Sequence, residues 1–294
     1  VRVRVHRSPK EFLDFAESAL LIREGENSLI LGIALRLRDG GSYGNSAPTL
    51  ITAASHGAVR AAAVRTPPYH LVLAAEPSEI DAIASIADRL RSAGETLPGV
   101  QGTPAGTDAF ADRWYRLAGV ESEAEMELRL YRLTEVIPPL LVPGVLRPAG
   151  PCDLDLLSGW AAAFAAEAVP GDPPREMRDF VGRLTASGAL FVWDDGGPVS
   201  MAASTRPTPN GISVNLVYTP PALRRRGYAS ACVAELSQRL LDSGRRFCTL
   251  FTNLANPTSN RIYRSIGFRP VADFRQVRFR DRSGAGRSPG ATSG

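Results

Sequence analysis

"NLVYTPPALRRRGYASACVAEL", residues 215–236, decides how the rest of the chain is read. An apolar run, Leu216 to Tyr218, ends at Pro220 and Pro221. Arg224, Arg225 and Arg226 then stand together before Gly227 and an apolar pattern of helical period. The helix expected over 222–244, ended by Gly244, would therefore begin on cations. A helix N-terminus already carries partial positive charge, so cations are disfavoured there. An anion held at the turn would account for them. Free backbone N–H groups converge on such a point, and guanidinium groups add charge-assisted bonds. Taken alone, the spacing R-x-x-G-x-A from Arg224 to Ala229 is a weak motif, and solvated arginines beside a helix start are its default reading.

The surrounding chain has 294 residues, which suggests two domains or one large two-lobed unit. Hydrophobic residues make up 44% and charged residues 22%, the balance of a globular protein with a real core. No run of about 18 apolar residues occurs, so no membrane span is expected. The opening "VRVRVHRSPKEFLDF" lacks the apolar segment of a signal peptide, which points to the cytoplasm. Cys152, Cys232 and Cys248 are odd in number and lack ligand spacing, so they read as reduced thiols. His6, His56 and His70 form no HxxxH or HExxH pattern, and no metal site is expected. Lys10 is the only lysine. Residues 204–294 hold 15 arginines and 4 acids, a net +11, against −7 for the rest. Such a basic region suits nucleic acid, a membrane surface or a polyphosphate ligand. It contains no nucleic-acid motif or RNP-type aromatic pattern, so neither a nucleic-acid nor a membrane partner is expected.

Periodicity places helices through Phe12, Phe15 and Leu20 and through Leu29, Ile33 and Leu37. It predicts a hairpin at His56-Gly57, a strand "HLVLAA", a helix "SEIDAIASIADRLRSAG" and a further helix before the strand "MELRLYRLTEV". Residues 137–151, with five prolines, read as a linker or extended crossing segment. Two helices follow, "LDLLSGWAAAFAAEAV" and "PPREMRDFVGRLTASG", then a hairpin turning at Asp195-Gly196-Gly197. Next come the strand "GISVNLVY", the arginine-led helix, the strand "FCTLFTN", a short helix "SNRIYRSIG" and a last strand "RQVRF". Residues 281–294 read as a disordered tail. A faint repeat matches Val59, Ala62 and Ala63 to Val199, Ala202 and Ala203, each followed by a Pro-containing turn, a strand and a helix. Two related lobes are expected, divided as 1–136, the linker 137–151, 152–280 and the tail.

The strand, the arginine-glycine turn, the helix and the later "FTNLANPTSNRIYRSIGFRPV" resemble, in that order, the GNAT superfamily of acyl-CoA-dependent N-acyltransferases. The resemblance covers residues 186–279 and extends weakly from about 153. Residues 1–136 are similar to a degenerate copy. Arg225 departs from the RGxGxA form that many members have. The resemblance implies an α/β fold of the α+β mixed-sheet kind, in two GNAT-like lobes. Each would be a mostly antiparallel sheet flanked by helices, the C-terminal lobe catalytic.

It also implies acetyl-CoA as co-substrate, no metal, and a small-molecule primary amine as acceptor, attacked directly in a ternary complex. The loop Arg224, Arg225, Arg226, Gly227, Tyr228, Ala229 and Ser230 would hold the CoA pyrophosphate. Backbone groups of Leu216, Val217, Tyr218 and Thr219 would pair with pantetheine, and the Val217 N–H would meet the tetrahedral oxyanion. Asn256 would hold the pantetheine arm, with Ser259 as a secondary contact. Tyr263 would protonate the departing thiolate.

Each residue also has a plainer reading. Asn256-Pro257 is a good helix-start dipeptide, and Tyr263 lies among Ile262 and Ile266 as a core aromatic would. Asn215 stands in the strand where a carboxylate would serve as base. Glu167 is the candidate base, though taken by itself it reads first as a solvated helix carboxylate. A water relay or an already neutral amine would also serve. Alternative functions are transfer of a longer acyl group, a peptide or protein amine acceptor, or CoA sensing without turnover.

Overall fold

Alternating and 3.6-period apolar patterns resolve into twelve strands and eight α-helices in the computed structural model, which describes residues 1–44, 46–168 and 176–280. In chain order these are β1 (Arg2–Val5), α1 (Pro9–Leu21), α2 (Ser28–Arg38), β2 (Thr49–Ser55), β3 (Ala58–Arg65) and β4 (Leu71–Ala75). Then come α3 (Ile80–Ser92), β5 (Gly99–Gly102), α4 (Pro104–Ala118), β6 (Glu121–Leu133) and β7 (Val145–Pro148). The chain continues with α5 (Leu154–Ala168), α6 (Met177–Ala186), β8 (Leu190–Asp194), β9 (Pro198–Thr205) and β10 (Gly211–Tyr218). It closes with α7 (Tyr228–Asp242), β11 (Phe247–Asn253), α8 (Pro257–Ser265) and β12 (Arg269–Arg280). The tail expected at 281–294 lies outside the described residues, as do the ends of the two predicted helices that fall within 169–175.

Contacts divide the chain into two compact units. The first comprises residues 1–7, 44–126 and the described chain from Arg275 onward. Its strands run β1-β2-β3-β4-β5-β12, antiparallel except for β4 beside β5. The amphipathic faces of α3 and α4 bury Ile83, Ile86, Leu90, Phe110 and Trp114 against Ile51, Leu71, Leu73 and Val100. Arg275–Arg278 of β12 pairs with Gly99–Gly102, so the C-terminal strand closes a sheet otherwise built from the N-terminal half.

The second unit comprises residues 8–43 and 127–274. Its strands run β6-β11-β10-β9-β8-β7, antiparallel except for β10 beside β11. On one face Val214, Ile212 and Leu250 pack with Cys232, Val233 and Leu236 of α7 and Tyr263 of α8. On the other, Met201, Ala203, Leu216 and Tyr218 pack with Leu157 and Ala161 of α5 and Val181 and Leu184 of α6. Helices α1 and α2 belong to this unit. Glu24, in the turn between them, accepts both the backbone N–H and the Nδ2–H of Asn210, each at 2.7 Å.

Several local expectations are corrected. The helix predicted over 222–244 begins at Tyr228, because Arg225 and Gly227 take φ of +64° and +85°, which a helix cannot contain. A 3-10 turn, Pro221–Leu223, precedes it. The cations therefore lie in the loop and not in the helix. The Pro-rich segment contains β7, which pairs Val145–Pro148 with Asp194–Phe191. The last strand is longer than "RQVRF". The alanines matched in the repeat are alike in burial: Ala62 and Ala63 are 1% and 0% exposed in β3, and Ala202 and Ala203 are both 0% exposed in β9.

Candidate active site

Strand β10 would alternate its faces every residue if it were regular. Ile212 and Val214 face the α7 core, so Leu216 should too. Instead Leu216 lies in the opposite cluster with Tyr218, and Val217 takes the α7 side. The cause is a β-bulge. Asn215 pairs with Ala203 and Tyr218 with Met201, so β10 carries one extra residue there. Leu216 absorbs it at φ +52°, a conformation L-residues avoid, and its burial at 5% exposure helps hold it. Beside the bulge the sheet opens. Among the described residues, β10 pairs with β11 through Gly211, Ile212 and Ser213 alone. Both strands run on past that point, β10 to Tyr218 and β11 to Asn253, while β11 stays paired to β6 as far as Asn253.

The end of β10 is buttressed from within. The Ser200 hydroxyl donates to the Tyr218 carbonyl at 3.2 Å and shares a hydrogen bond with the Thr219 hydroxyl at 2.9 Å. Ser200 is fully buried. It lies in β9 with no motif around it, and nothing in the sequence singled it out.

The loop before α7 sorts its arginines into two kinds. Arg224 donates through Nε to the Thr219 carbonyl at 2.9 Å and through Nη2 to Glu167 at 2.7 and 3.1 Å. It also lies over the Tyr218 ring, 5.6 Å from its centroid. The Tyr218 hydroxyl reaches Glu167 at 3.4 Å. Arg224 is thus a brace between strand, loop and α5. Arg225 and Arg226 are exposed. Gly227 caps α7 with no side chain to satisfy the first-turn N–H groups, and no acid lies in that turn. A Cβ at Gly227 would stand 2.8 Å from the Val142 side chain, and its φ is one L-residues avoid, so the position calls for glycine twice over. Tyr228 is packed in the core, and its hydroxyl donates to Asp195 at 2.6 Å, an interaction that raises its pKa. Ala229 and Ser230 stand in the open first turn.

Across the opening, Asn256 caps α8: its Oδ1 accepts the Ser259 N–H at 3.0 Å, leaving the Nδ2–H₂ as its free donors. Asn260 is buried and ties the β11–α8 turn together, donating to the carbonyls of Asn253 and Asn256 and accepting from the Tyr131 hydroxyl at 3.0 Å. Tyr263 packs edge-on to Phe268, ring centroids 6.0 Å apart. No hydrogen-bond partner for its hydroxyl occurs among the described residues, and burial pushes its pKa up to about 12. It is both a core aromatic and a phenol that keeps its proton.

Asn215, one residue before Leu216, completes the set. Its Nδ2 is fixed to Thr205 Oγ1 at 2.9 Å, while its Oδ1 is removed from solvent and has no partner. Its identity was visible in the sequence, but the unmet acceptor was not. Among the described residues no cluster of His, Cys, Asp and Glu could hold a metal ion, and no helix is long and apolar enough to cross a membrane.

A bulged strand, an adjacent opened pair and a glycine-led helix start on its far side are the framework of the GNAT fold. Residues 195–278 match the family model described as FR47-like protein. An acetyltransferase of the GNAT family from Colwellia psychrerythraea is 14% identical, with 95% of this chain and 99% of that one covered and a TM-score of 0.55. A GCN5-related N-acetyltransferase from Kribbella flavida is 16% identical over 87% and 94% of the two chains, with a TM-score of 0.54. A tandem GNAT protein from the clavulanic acid biosynthesis pathway is 15% identical over 98% and 99%, with a TM-score of 0.55. No curated protein matches the chain. The chain has a two-lobe GNAT fold.

Proposed function

We propose that this protein is an N-acetyltransferase that moves the acetyl group of acetyl-CoA to a primary amine of a small molecule. The observation that carries this reading is the opening between β10 and β11, which follows the Ser213↔Thr249 pair and includes the Leu216 bulge, with the uncapped start of α7 next along the chain. Pantetheine would lie in the opening as an added strand along Leu216–Thr219, on the side away from the Ser200 buttress. The pyrophosphate would take the first-turn N–H groups of α7, with Arg225 and Arg226 supplying charge. Asn256 would donate its Nδ2–H₂ to a pantetheine carbonyl, with Ser259 beside it.

The amine nitrogen attacks the thioester carbonyl carbon, and the C–N bond forms as charge collects on oxygen. The Val217 N–H receives that charge. The intermediate collapses, the C–S bond breaks, and Tyr263 gives its proton to the leaving thiolate. The Asn215 Oδ1 accepts an N–H of the amine and aims the nitrogen; an amide oxygen is too weak a base to remove the proton. Glu167 is the candidate base from sequence, but both its oxygens are taken by Arg224. The amine therefore attacks in its neutral form, the proton its nitrogen sheds after attack passes to water, and a proton from water restores Tyr263. Incubating the full chain with acetyl-CoA and a panel of amines, amino acids and aminoglycoside-like compounds tests the reading. Acetylated product by mass spectrometry, with matching release of CoA thiol, is expected. Tight acetyl-CoA binding with no product from any amine would favour a sensor.

A further inference from the structure

A second cleft, of about 690 Å³, opens between the C-terminal end of α2 and the turn joining β9 to β10. That turn lies at the opposite end of β10 from the bulge. Arg36, Arg38 and Asp39 line one side, Arg206 and Thr208 the other, all within the second unit. The backbone of Arg206 is set at φ +50°, a conformation arginine rarely adopts. Helix α2 comes close enough that a Cβ on Gly32 would stand 2.6 Å from the Arg206 Cβ. The Nε of Arg206 is shut off from solvent and has no hydrogen-bond partner. Burial makes it harder for this guanidinium to stay ionised; Tyr43 works against that, and the nearby charge of Arg36 adds to it.

The acids on the walls do not relieve it. Asp39 is held by Arg38 at 2.8 Å, and Glu17 makes no ion pair with Arg206 or Arg36 among the described residues. Arg36 is exposed and lies over the Tyr43 ring, 5.3 Å from its centroid. Arg36 and Arg206 therefore share a cleft in which, among the described residues, neither has an ion pair of its own. Arg206 is half-buried, with its Nε sealed from water; a charge so placed without a counter-charge is costly, and proteins tolerate it where a ligand completes the pair.

We propose that this cleft is an anion-binding site, separate from the acyl-transfer site, in which Arg206 and Arg36 together hold a phosphate or carboxylate group of a small molecule. The planar guanidinium fork matches either oxyanion. The cleft volume is in the range of small-metabolite sites, roughly 300–1,000 Å³.

The test is calorimetric titration of the full chain with inorganic phosphate and, separately, with citrate. Ionic strength is held constant with sodium chloride. Saturable binding of at least one anion is expected; preference for phosphate or for citrate names the group. Arg206→Gln and Arg36→Gln should each weaken that binding about tenfold or more and leave acetyl-CoA affinity unchanged. If Arg206→Gln fails to fold, the exposed Arg36 decides the matter. No saturable binding of either anion overturns the proposal. So does binding that survives intact in folded Arg36→Gln but disappears in an Arg225→Ala/Arg226→Ala variant, which would place the anion at the loop before α7.

Discussion

Arg224 and Glu167 close on each other, Nη2 to Oε2 at 2.7 Å, and the same guanidinium holds the Thr219 carbonyl through Nε. An arginine that the sequence assigns to a phosphate is spent on the protein, and a glutamate that it offers as a base is spent on that arginine. This pair separates the arginines of the loop into a brace and two exposed cations, of which Arg226 also reaches the Tyr228 hydroxyl. The pair is about half exposed, so its own contribution to stability is modest, at most about 1 kcal/mol.

Arg225→Ala/Arg226→Ala should therefore lower acetyl-CoA affinity about 10- to 100-fold, roughly 1–3 kcal/mol for two exposed charge-assisted contacts. Arg224→Ala should lower it less and should reduce thermal stability instead. Calorimetry at two salt concentrations checks both. A larger loss for Arg224 than for the other two would return Arg224 to the phosphate.

Glu167→Gln should change turnover less than tenfold and leave the acidic limb of the rate–pH profile in place. A fall of 10³-fold, with that limb removed, would make Glu167 the base after all.

Tyr263→Phe should lower turnover about 10²–10⁴-fold with little change in acetyl-CoA affinity, since the ring packing against Phe268 survives. The raised pKa adds a stability signature. An unfolded tyrosine loses its proton near pH 10, whereas folded Tyr263 keeps it to about pH 12. Stability should fall as pH rises through that window, by about 3 kcal/mol at most, and Tyr263→Phe should remove that share of the fall. Alkaline denaturation curves of the two proteins compare directly.

His70 gives the opposite test in the first unit. Burial, then the charge of Arg278, hold its pKa down to about 4 in spite of Glu125 at 3.4 Å, which Arg278 also engages. As pH falls from 6.5 towards 4 the unfolded chain takes up a proton that the folded chain refuses. Stability attributable to His70 is present above pH 6.5 and lost across that range, about 3 kcal/mol as an order of magnitude. His70→Gln should flatten that part of the melting temperature against pH. An unchanged slope would mean that other groups carry the acid sensitivity.

The first unit should bind no acetyl-CoA, so one molecule per chain is expected. Its β3–β4 register runs without a break from Ala61↔Ala75 to Val64↔Val72, and no residue of β4 has positive φ. Leu73 stands opposite Ala63 where Asn215 stands opposite Ala203 in the second copy. Helix α3 starts at an acidic N-cap, Glu79, with Asp81 in its first turn, and both would repel a pyrophosphate. Ser78, with which the predicted helix opens, lies before the N-cap, and Glu79 makes no capping bond with its side chain. Calorimetric stoichiometry of two would refute this division between the units.

Sequence alone determined the order of the elements from β2 to β11 other than β5 and β7, the repeat of hairpin, strand and helix, and the identity of the turn before α7. Those features are local. Apolar period, a glycine at a forced turn and consecutive arginines are written in neighbouring residues, and no distant contact changes them. What the tertiary structure decided depended on partners far along the chain. The start of α7 moved from 222 to 228 because Arg225 and Gly227 take left-handed conformations in their packed setting. Arg224 found Glu167, 57 residues earlier, and β12 closed the sheet of β5. The extra residue at Leu216 exists only relative to β9, since a bulge is a mismatch between two strands and has no spelling in either one. The unmet oxygen of Asn215 and the stranded Nε of Arg206 likewise became visible only when folding removed the water that would otherwise have satisfied them.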